Sequence, residues 1–232
     1  LSSGNRNVFL GYQAGKYAPA VNDNIAIGCQ ALGGATVTGN CNIVIGVNAG
    51  CKVTAGTENI ALGTKALGTG TVTCHGNIAI GKHAGLVAAD AEFNTLIGCG
   101  AGQAITSGDN NVAIGKWAAY YQTTAINNTY VGGSAGVCRQ TGNNNTAIGV
   151  DAFAGSATPG DNTGGGNTLI GAAAGYVITS GSTNVFVGCN AGKTLTTGSD
   201  NIALGQSAMG TGTATGNCNI AIGSRAGSKI TS

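Results

Sequence analysis

Hydrophobic and polar positions recur along this chain at a fixed spacing. An Asn is followed four residues later by a Gly, with an aliphatic residue just before that Gly, and the pattern occurs thirteen times. Successive Asn residues are 17 or 18 positions apart, with one interval of 22. A period of this length is typical of repeat architectures, in which each repeat is one small structural unit. The repeating residues are Asn7, Asn24, Asn42, Asn59, Asn77, Asn94, Asn111, Asn128, Asn145, Asn167, Asn184, Asn201 and Asn219.

Each repeat contains one short segment with the alternation of a β-strand. After Asn24, the side chains of Ile25 and Ile27 share one face and Ala26 and Gly28 the other, because successive strand residues face opposite ways. The Gly-rich residues before each Asn predict a turn, since glycine accepts positive φ. One coil cannot bury its apolar face alone, whereas stacked coils form a continuous core. We therefore predict an all-β parallel β-solenoid of thirteen coils, residues 1–232, with a second short strand in each arm, for example at 102–106.

Three positions are identical in all thirteen repeats: the Asn, the Gly four residues later and the Ala seven residues later. Equivalent positions of stacked coils lie over one another, so we predict a column of Asn side chains whose amides bond from coil to coil. Metal binding would require carboxylates or imidazoles in this column, and it has neither. We therefore interpret these positions as structural, and the residues assigned to this role are Asn24, Asn42, Asn59, Asn77, Asn94, Asn111, Gly28, Gly46, Gly63, Ala31, Ala49 and Ala66.

The position two residues after each Asn predicts burial of a second strand face. It is Ala in seven repeats and a larger apolar or aromatic residue in the others, beside the unbroken row of Gly. One coil has a single interior, so burial of both faces would require a neighbouring chain, and small residues let two backbones approach closely. We therefore expect a parallel homo-oligomer, most simply a trimer.

The amino-acid composition excludes several classes of protein to which the chain could belong. The chain has 43 Gly among 232 residues, 8% charged residues and a net charge of +2. A strict three-residue Gly period is missing, which excludes collagen, and the aliphatic content argues against disorder. The weak charge indicates neither nucleic acid nor an anionic membrane as partner, and no apolar stretch approaches the about 18 residues of a membrane span. The chain starts and stops within repeats, so we expect a segment of a longer polypeptide.

The His and Cys residues are not spaced as catalysis, metal binding or disulfide formation would require. His75 and His83 lack an orienting carboxylate in a repeated position, so we expect no catalysis. The eight Cys include no C-x-x-C pair, and those in equivalent positions are several coils apart, beyond the about 7 Å that a disulfide spans. We therefore expect no metal, disulfide or cofactor, and interpret most Cys as buried apolar residues. Unpaired Cys favours assembly in a reducing cytoplasm.

Two local departures from the repeat are candidate contact surfaces. The repeat that starts at Asn145 has 22 residues, and we interpret residues 153–166 as an enlarged corner loop, with Phe153 as a possible contact residue. Trp117, Tyr120 and Tyr121 fall within one repeat and predict a small aromatic patch that either contacts sugars or packs locally.

The motif N-[IV]-A-[IL]-G, with Ala three residues later, resembles two related repeat families. These are the head domains of trimeric autotransporter adhesins and the N-T-A-I-G-x-x-A arrays of phage and virus tail fibres, which residues 145–152 match closely. The resemblance covers essentially the whole chain. It implies a left-handed parallel β-roll, three chains wound together, and a role in reaching or gripping a cell surface. Adhesin head repeats are usually shorter and richer in Ser, so the chain resembles the tail-fibre array more.

These observations together predict a non-enzymatic structural protein. We expect the shaft of a viral or phage tail fibre or spike, exposed on the virion or outside the cell, whose partners are other copies of itself, fibre or virion proteins, and a host-surface glycan or protein. A bacterial cell-surface adhesin stalk or head is the alternative. Thr-rich arms at 36–38, 71–73 and 211–213 leave an ice-binding solenoid as a more remote alternative.

Overall fold

A computed structural model describes residues 4–70, 73–155, 162–211 and 215–228. None of these residues is helical, and accordingly none belongs to a helix able to span a bilayer. The chain divides into two compact units, Leu1–Asn111 and Val112–Ser232. The first contains β1 (Val8–Leu10), β2 (Ile25–Ile27), β3 (Ile43–Ile45), β4 (Ile60–Leu62), β5 (Ile78–Ile80) and β6 (Thr95–Ile97). The second contains β7 (Val112–Ile114), β8 (Thr129–Val131), β9 (Thr146–Ile148), β10 (Thr168–Ile170), β11 (Val185–Val187), β12 (Ile202–Leu204) and β13 (Ile220–Ile222).

Within each unit, consecutive strands are parallel neighbours in the order of the chain. In the first unit, Ile25 of β2 pairs with Ile43 of β3, and the register continues residue by residue to the end of both strands. The amide of Ile25 donates to the carbonyl oxygen of Asn42 in the next coil at 2.8 Å. Each repeat thus adds one strand in the same place, and the predicted parallel β-solenoid is confirmed.

The motif G-x-x-A forms the turn that ends each strand. After β2, the amide of Ala31 donates to the carbonyl oxygen of Gly28 at 3.3 Å, and Gln30 between them has a φ of 54°. A positive φ at the third residue is the signature of a type II turn. Gly28 itself has a φ of 130°, a conformation that glycine adopts without steric cost. The invariant Gly is therefore required by the reversal of the chain.

The face that carries the small residues forms the interior of each coil. Ala26, Val44 and Ala61 are fully buried within the single chain, whereas the first and third residues of the strands are only partly covered. A Cβ on Gly50 of the arm would lie 3.0 Å from the Val44 side chain, because arm and strand face each other across a narrow core. The prediction that a neighbouring chain covers the small-residue face is therefore wrong, and the aliphatic face points outward instead.

Apart from an isolated β-bridge at Val53, the described arms opposite the strands consist of turns and irregular segments. In residues 102–106, the amide of Ile105 donates to the carbonyl oxygen of Gly102 at 3.1 Å, and the Ile105 side chain is fully buried. The predicted second strand is wrong because Gly102, with a φ of 55°, curls the arm and directs Ile105 into the core.

The enlarged repeat lies between β9 and β10. Of the predicted corner loop, residues 153–166, positions 156–161 lie outside the described residues, as do 71–72 and 212–213 of the Thr-rich arms. The described ends of the loop are buried at Phe153 and Asn162. The Nδ2 atom of Asn162 donates to the carbonyl oxygen of Cys138 at 3.0 Å. Both ends of the insertion are thus anchored on the solenoid.

Candidate functional site

The invariant Asn side chains form a hydrogen-bonded column in each unit. The Nδ2 atom of Asn59 donates to Oδ1 of Asn42 at 3.1 Å and to the carbonyl oxygen of Cys74 at 2.9 Å. Its Oδ1 accepts from the backbone amide and the Nδ2 of Asn77, at 3.0 and 3.2 Å. The predicted ladder is confirmed, and its hydrogen bonds satisfy polar groups of the turn backbone as well as those of the Asn side chains. Its buried members are Asn24, Asn42, Asn59, Asn77, Asn94 and Asn111 in the first unit and Asn128, Asn145, Asn167, Asn184 and Asn201 in the second.

The Gly and Ala columns beside the ladder are packing positions. A Cβ on Gly28 would lie 2.7 Å from the carbonyl oxygen of Gly46, and one on Gly46 would lie 2.7 Å from the carbonyl of Gly63. Adjacent coils therefore touch backbone to backbone in this column. The fully buried members of the Ala column include Ala31, Ala49 and Ala66.

A second polar column, which sequence analysis missed, involves the residue two positions before each invariant Asn. In many repeats, its side chain accepts a hydrogen bond from the amide of the equivalent residue in the preceding coil. The amide of Thr57 donates to Nδ1 of His75 at 3.2 Å, and the amide of Ser182 donates to Oγ of Ser199 at 3.1 Å. The sequence signal is a short polar residue at this position in most repeats. His75 therefore has a structural role as a ring-nitrogen acceptor.

The outward strand residues of each unit form what we term the aliphatic face. The third residue of every strand is Ile, Leu or Val, and the first is Ile, Val or Thr. In the second unit, Ile148 and Ile170 pair in register and are each 39% exposed. Large contiguous apolar patches on an isolated protein usually mark an interaction surface. The aliphatic face is therefore the first candidate site.

The second candidate site is an aromatic cleft in the second unit. Trp117, Tyr120, Tyr121 and Val137 line a cleft of about 210 Å³. The rings of Trp117 and Tyr120 meet edge to face with centroids 6.5 Å apart, and those of Tyr120 and Tyr121 do so at 4.7 Å. The ammonium of Lys116 lies 4.0 Å from the Trp117 ring centroid. The predicted aromatic patch is thus brought together, and 45% of Trp117 and 42% of Tyr121 remain exposed.

The fourth predicted contact residue, Phe153, is fully buried, so its assignment to a surface is wrong. Phe153 directly follows the invariant Ala152, the position that Leu32 and Leu67 occupy in other repeats, and these side chains point into the core as well. The guanidinium carbon of Arg139 lies 3.3 Å from the Phe153 ring centroid.

Arg139 is a buried cation that sequence analysis missed. Its Nε donates to the carbonyl oxygen of Phe153 at 3.3 Å, its Nη1 to that of Thr179 at 3.0 Å, and its Nη2 to that of Ile178. Burial lowers the pKa of Arg139 to about 9. The arginine lies in the arm just before the enlarged repeat, so a polar residue at a normally apolar arm position was the available signal.

The Cys residues are more exposed than predicted. All eight are free thiols, and only Cys74 is buried. Cys51 and Cys138 are partly exposed, and the exposed thiols are Cys29, Cys41, Cys99, Cys189 and Cys218. The interpretation of most Cys as buried residues is therefore wrong. Among the described residues, no group of three or more His, Cys, Asp or Glu could hold a metal ion.

Comparison with known protein families and with curated proteins yields no match to this chain. The features that bear on function are therefore the geometry of the ladder, the aliphatic face and the aromatic cleft.

Proposed function

We propose that this chain is a shaft segment of a fibre, as in a viral or phage tail fibre, that serves attachment to a host. The observation that carries this proposal is the aliphatic face. Burying apolar surface is worth about 25 cal/mol for each Å² removed from water, so rows of half-exposed aliphatic side chains favour a partner. Such a face, repeated in both units, is suited to lateral assembly.

The partner that best matches the aliphatic face is another copy of the same chain. A parallel copy presents the same rows at the same interval of 17 or 18 residues, so the coils can meet one to one. Ile148 of one chain would then lie at the level of Ile148 in the next. The resemblance of the repeats to tail-fibre arrays leads us to propose three chains.

The interior of the coils suits a shaft that grows by repetition. Each added coil brings the same ladder contacts, as Asn59 does between Asn42 and Asn77, and needs no new kind of interaction. The length of such a fibre can therefore change by whole repeats without redesign of the core.

Sedimentation analysis of the purified chain tests this proposal. The wild type should sediment as a multiple of its 22.4 kDa chain mass. The double variant Ile148→Lys with Ile170→Lys places charges on the aliphatic face and should sediment as a single chain with an unchanged circular dichroism spectrum. Ser207→Lys is the matched control, because the equivalent position of another repeat already carries Lys65, and it should leave assembly intact. A well-folded wild-type monomer at micromolar concentration would refute the proposal.

Electron microscopy provides a second readout. Negatively stained wild-type protein should show thin rods, and the double variant should not. Round, compact particles of the wild type would contradict a shaft.

A further inference from the structure

The aromatic cleft has features that local packing does not explain. Trp117 occupies the turn position where other repeats carry residues such as Gln30, Asn48 and Ser134. The backbone there has a φ of 61°, a region that bulky side chains rarely adopt. A tryptophan therefore gains nothing for the turn, and nearly half of its surface remains in contact with solvent.

We propose that this cleft binds a sugar ring. A pyranose has one face made largely of C–H groups, which stacks on an aromatic ring, while its hydroxyls require polar partners at the rim. Trp117 and Tyr121 offer partly exposed rings, and the phenol of Tyr121 and the ammonium of Lys116, which lies over the Trp117 ring, offer polar groups. Tyrosine and tryptophan combine an apolar body with a polar tip, which suits a ligand that is itself amphipathic.

The local charge selects between ligand classes. Aromatic clusters also bind quaternary ammonium groups, but a cation is disfavoured here because Lys116 already places an ammonium over the Trp117 ring. In residues 111–150, Lys116 lies at the cleft and Arg139 is buried, and the nearest acidic residues in the sequence are Asp109 and Asp151. The cleft therefore favours neutral sugars and sugars with a carboxylate over cationic ligands.

Trp117 reports on its own cleft, since it is the sole tryptophan of the chain. Methyl β-D-glucopyranoside, glucuronic acid and choline chloride are titrated separately while tryptophan fluorescence and the indole N–H resonance are recorded. Both sugars should shift these signals with dissociation constants of about 1–10 mM, a value consistent with a single ring in an open cleft. Glucuronic acid should bind more tightly than the glucoside, and added salt should weaken only that preference.

Substitutions taken from other repeats separate binding from folding. Tyr121→Thr introduces the residue found at the equivalent Thr194, keeps the reporter, and should weaken sugar binding about fivefold or more. Lys116→Gln introduces the residue of Gln206 and should remove the preference for glucuronic acid. Tyr12→Thr, which removes an exposed tyrosine outside the cleft, is the matched control and should leave binding unchanged.

Three results would overturn the assignment to sugars: no response to either sugar at about 50 mM, far above the expected dissociation constants; a response to choline alone; or an undiminished sugar response in Tyr121→Thr. None of these results tests the proposed fibre shaft, because assembly is tested separately, by sedimentation of the wild type and of variants of the aliphatic face. A failed sugar titration with intact oligomers would therefore leave the proposed function standing.

Discussion

The guanidinium of Arg139 donates a hydrogen bond to the carbonyl oxygen of Thr179, 40 residues further along the chain, at 3.0 Å. Regular contacts between arms join residues one repeat apart, as between the amide of Thr179 and the carbonyl oxygen of Thr196 at 2.8 Å. Arg139 thus reaches beyond the enlarged repeat to the following coil. Its long side chain closes the core at the place where the insertion leaves the regular stack.

Replacing Arg139 should destabilise the second unit. Arg139→Ala removes the donor to the carbonyls of Phe153 and Ile178 and leaves a cavity, so the free energy of unfolding should fall by about 3–5 kcal/mol. Arg139→Met fills the space and removes a buried charge, so its loss should be smaller. Urea denaturation at fixed chain concentration measures both. The exposed Lys52→Ala is the control, and an equal effect of all three substitutions would contradict the role of Arg139.

The Asn ladder should tolerate substitution at its end better than in its middle. Asn59→Ala leaves the amide of Asn77 and the carbonyl of Cys74 without their partner and should cost about 3 kcal/mol or more. Asn219→Ala changes a half-buried member at the last strand and should cost about 1 kcal/mol. Thermal and urea unfolding of the two variants gives the comparison, and equal losses would speak against a cooperative column.

Two glycine substitutions should differ sharply. A Cβ at Gly63 would lie 2.8 Å from the backbone of Gly81, and the φ of 131° is strained for any L side chain. Gly63→Ala should therefore destabilise the first unit by about 3 kcal/mol or prevent its folding. A Cβ at Gly133 would meet nothing within 4 Å, so Gly133→Ala should be neutral. The yield of folded protein and the unfolding midpoint distinguish the two variants, and a stable Gly63→Ala would disprove close contact between the coils.

The thiols should differ in reactivity and in their contribution to pH-dependent stability. Burial raises the pKa of Cys74 to about 12, with a further contribution from Glu92, whereas Cys29 and Cys189 are exposed. Alkylation at pH 8 followed by mass spectrometry should label the exposed thiols first and Cys74 last. Above the ordinary thiol pKa, the unfolded chain releases the Cys74 proton first, so stability should fall between about pH 9 and 12. Cys74→Ala should flatten this decline, and early labelling of Cys74 would contradict its burial.

Much of the fold could be predicted because the repeat places equivalent residues over one another. The ladder through Asn42 and Asn59 followed from the interval alone, since stacking in register places equivalent Asn side chains next to one another. The aromatic patch at Trp117 also followed, because its members lie in one repeat. The insertion at residues 153–166 was visible as a longer interval, although the burial of Phe153 was not.

Other features depended on which direction each side chain faces. Alternation separates Ile25 from Ala26, yet it does not say which of them enters the core. That choice depends on the width of the coil, which is set by where the arm packs. Arg139 could not be assigned either, because its carbonyl partners come from a coil two repeats away.

By itself, the sequence determined that the chain is built of stacked coils with a strand after each invariant Asn, because a strict period with invariant Asn, Gly and Ala places the same short segment at the same point of every coil. Only the tertiary structure decided that alanines line the interior and isoleucines the outside, since the narrow space between strand and arm admits the smaller side chain. It also decided that Arg139 is buried, because the carbonyl oxygens that accept its hydrogen bonds come together only after the coils have stacked.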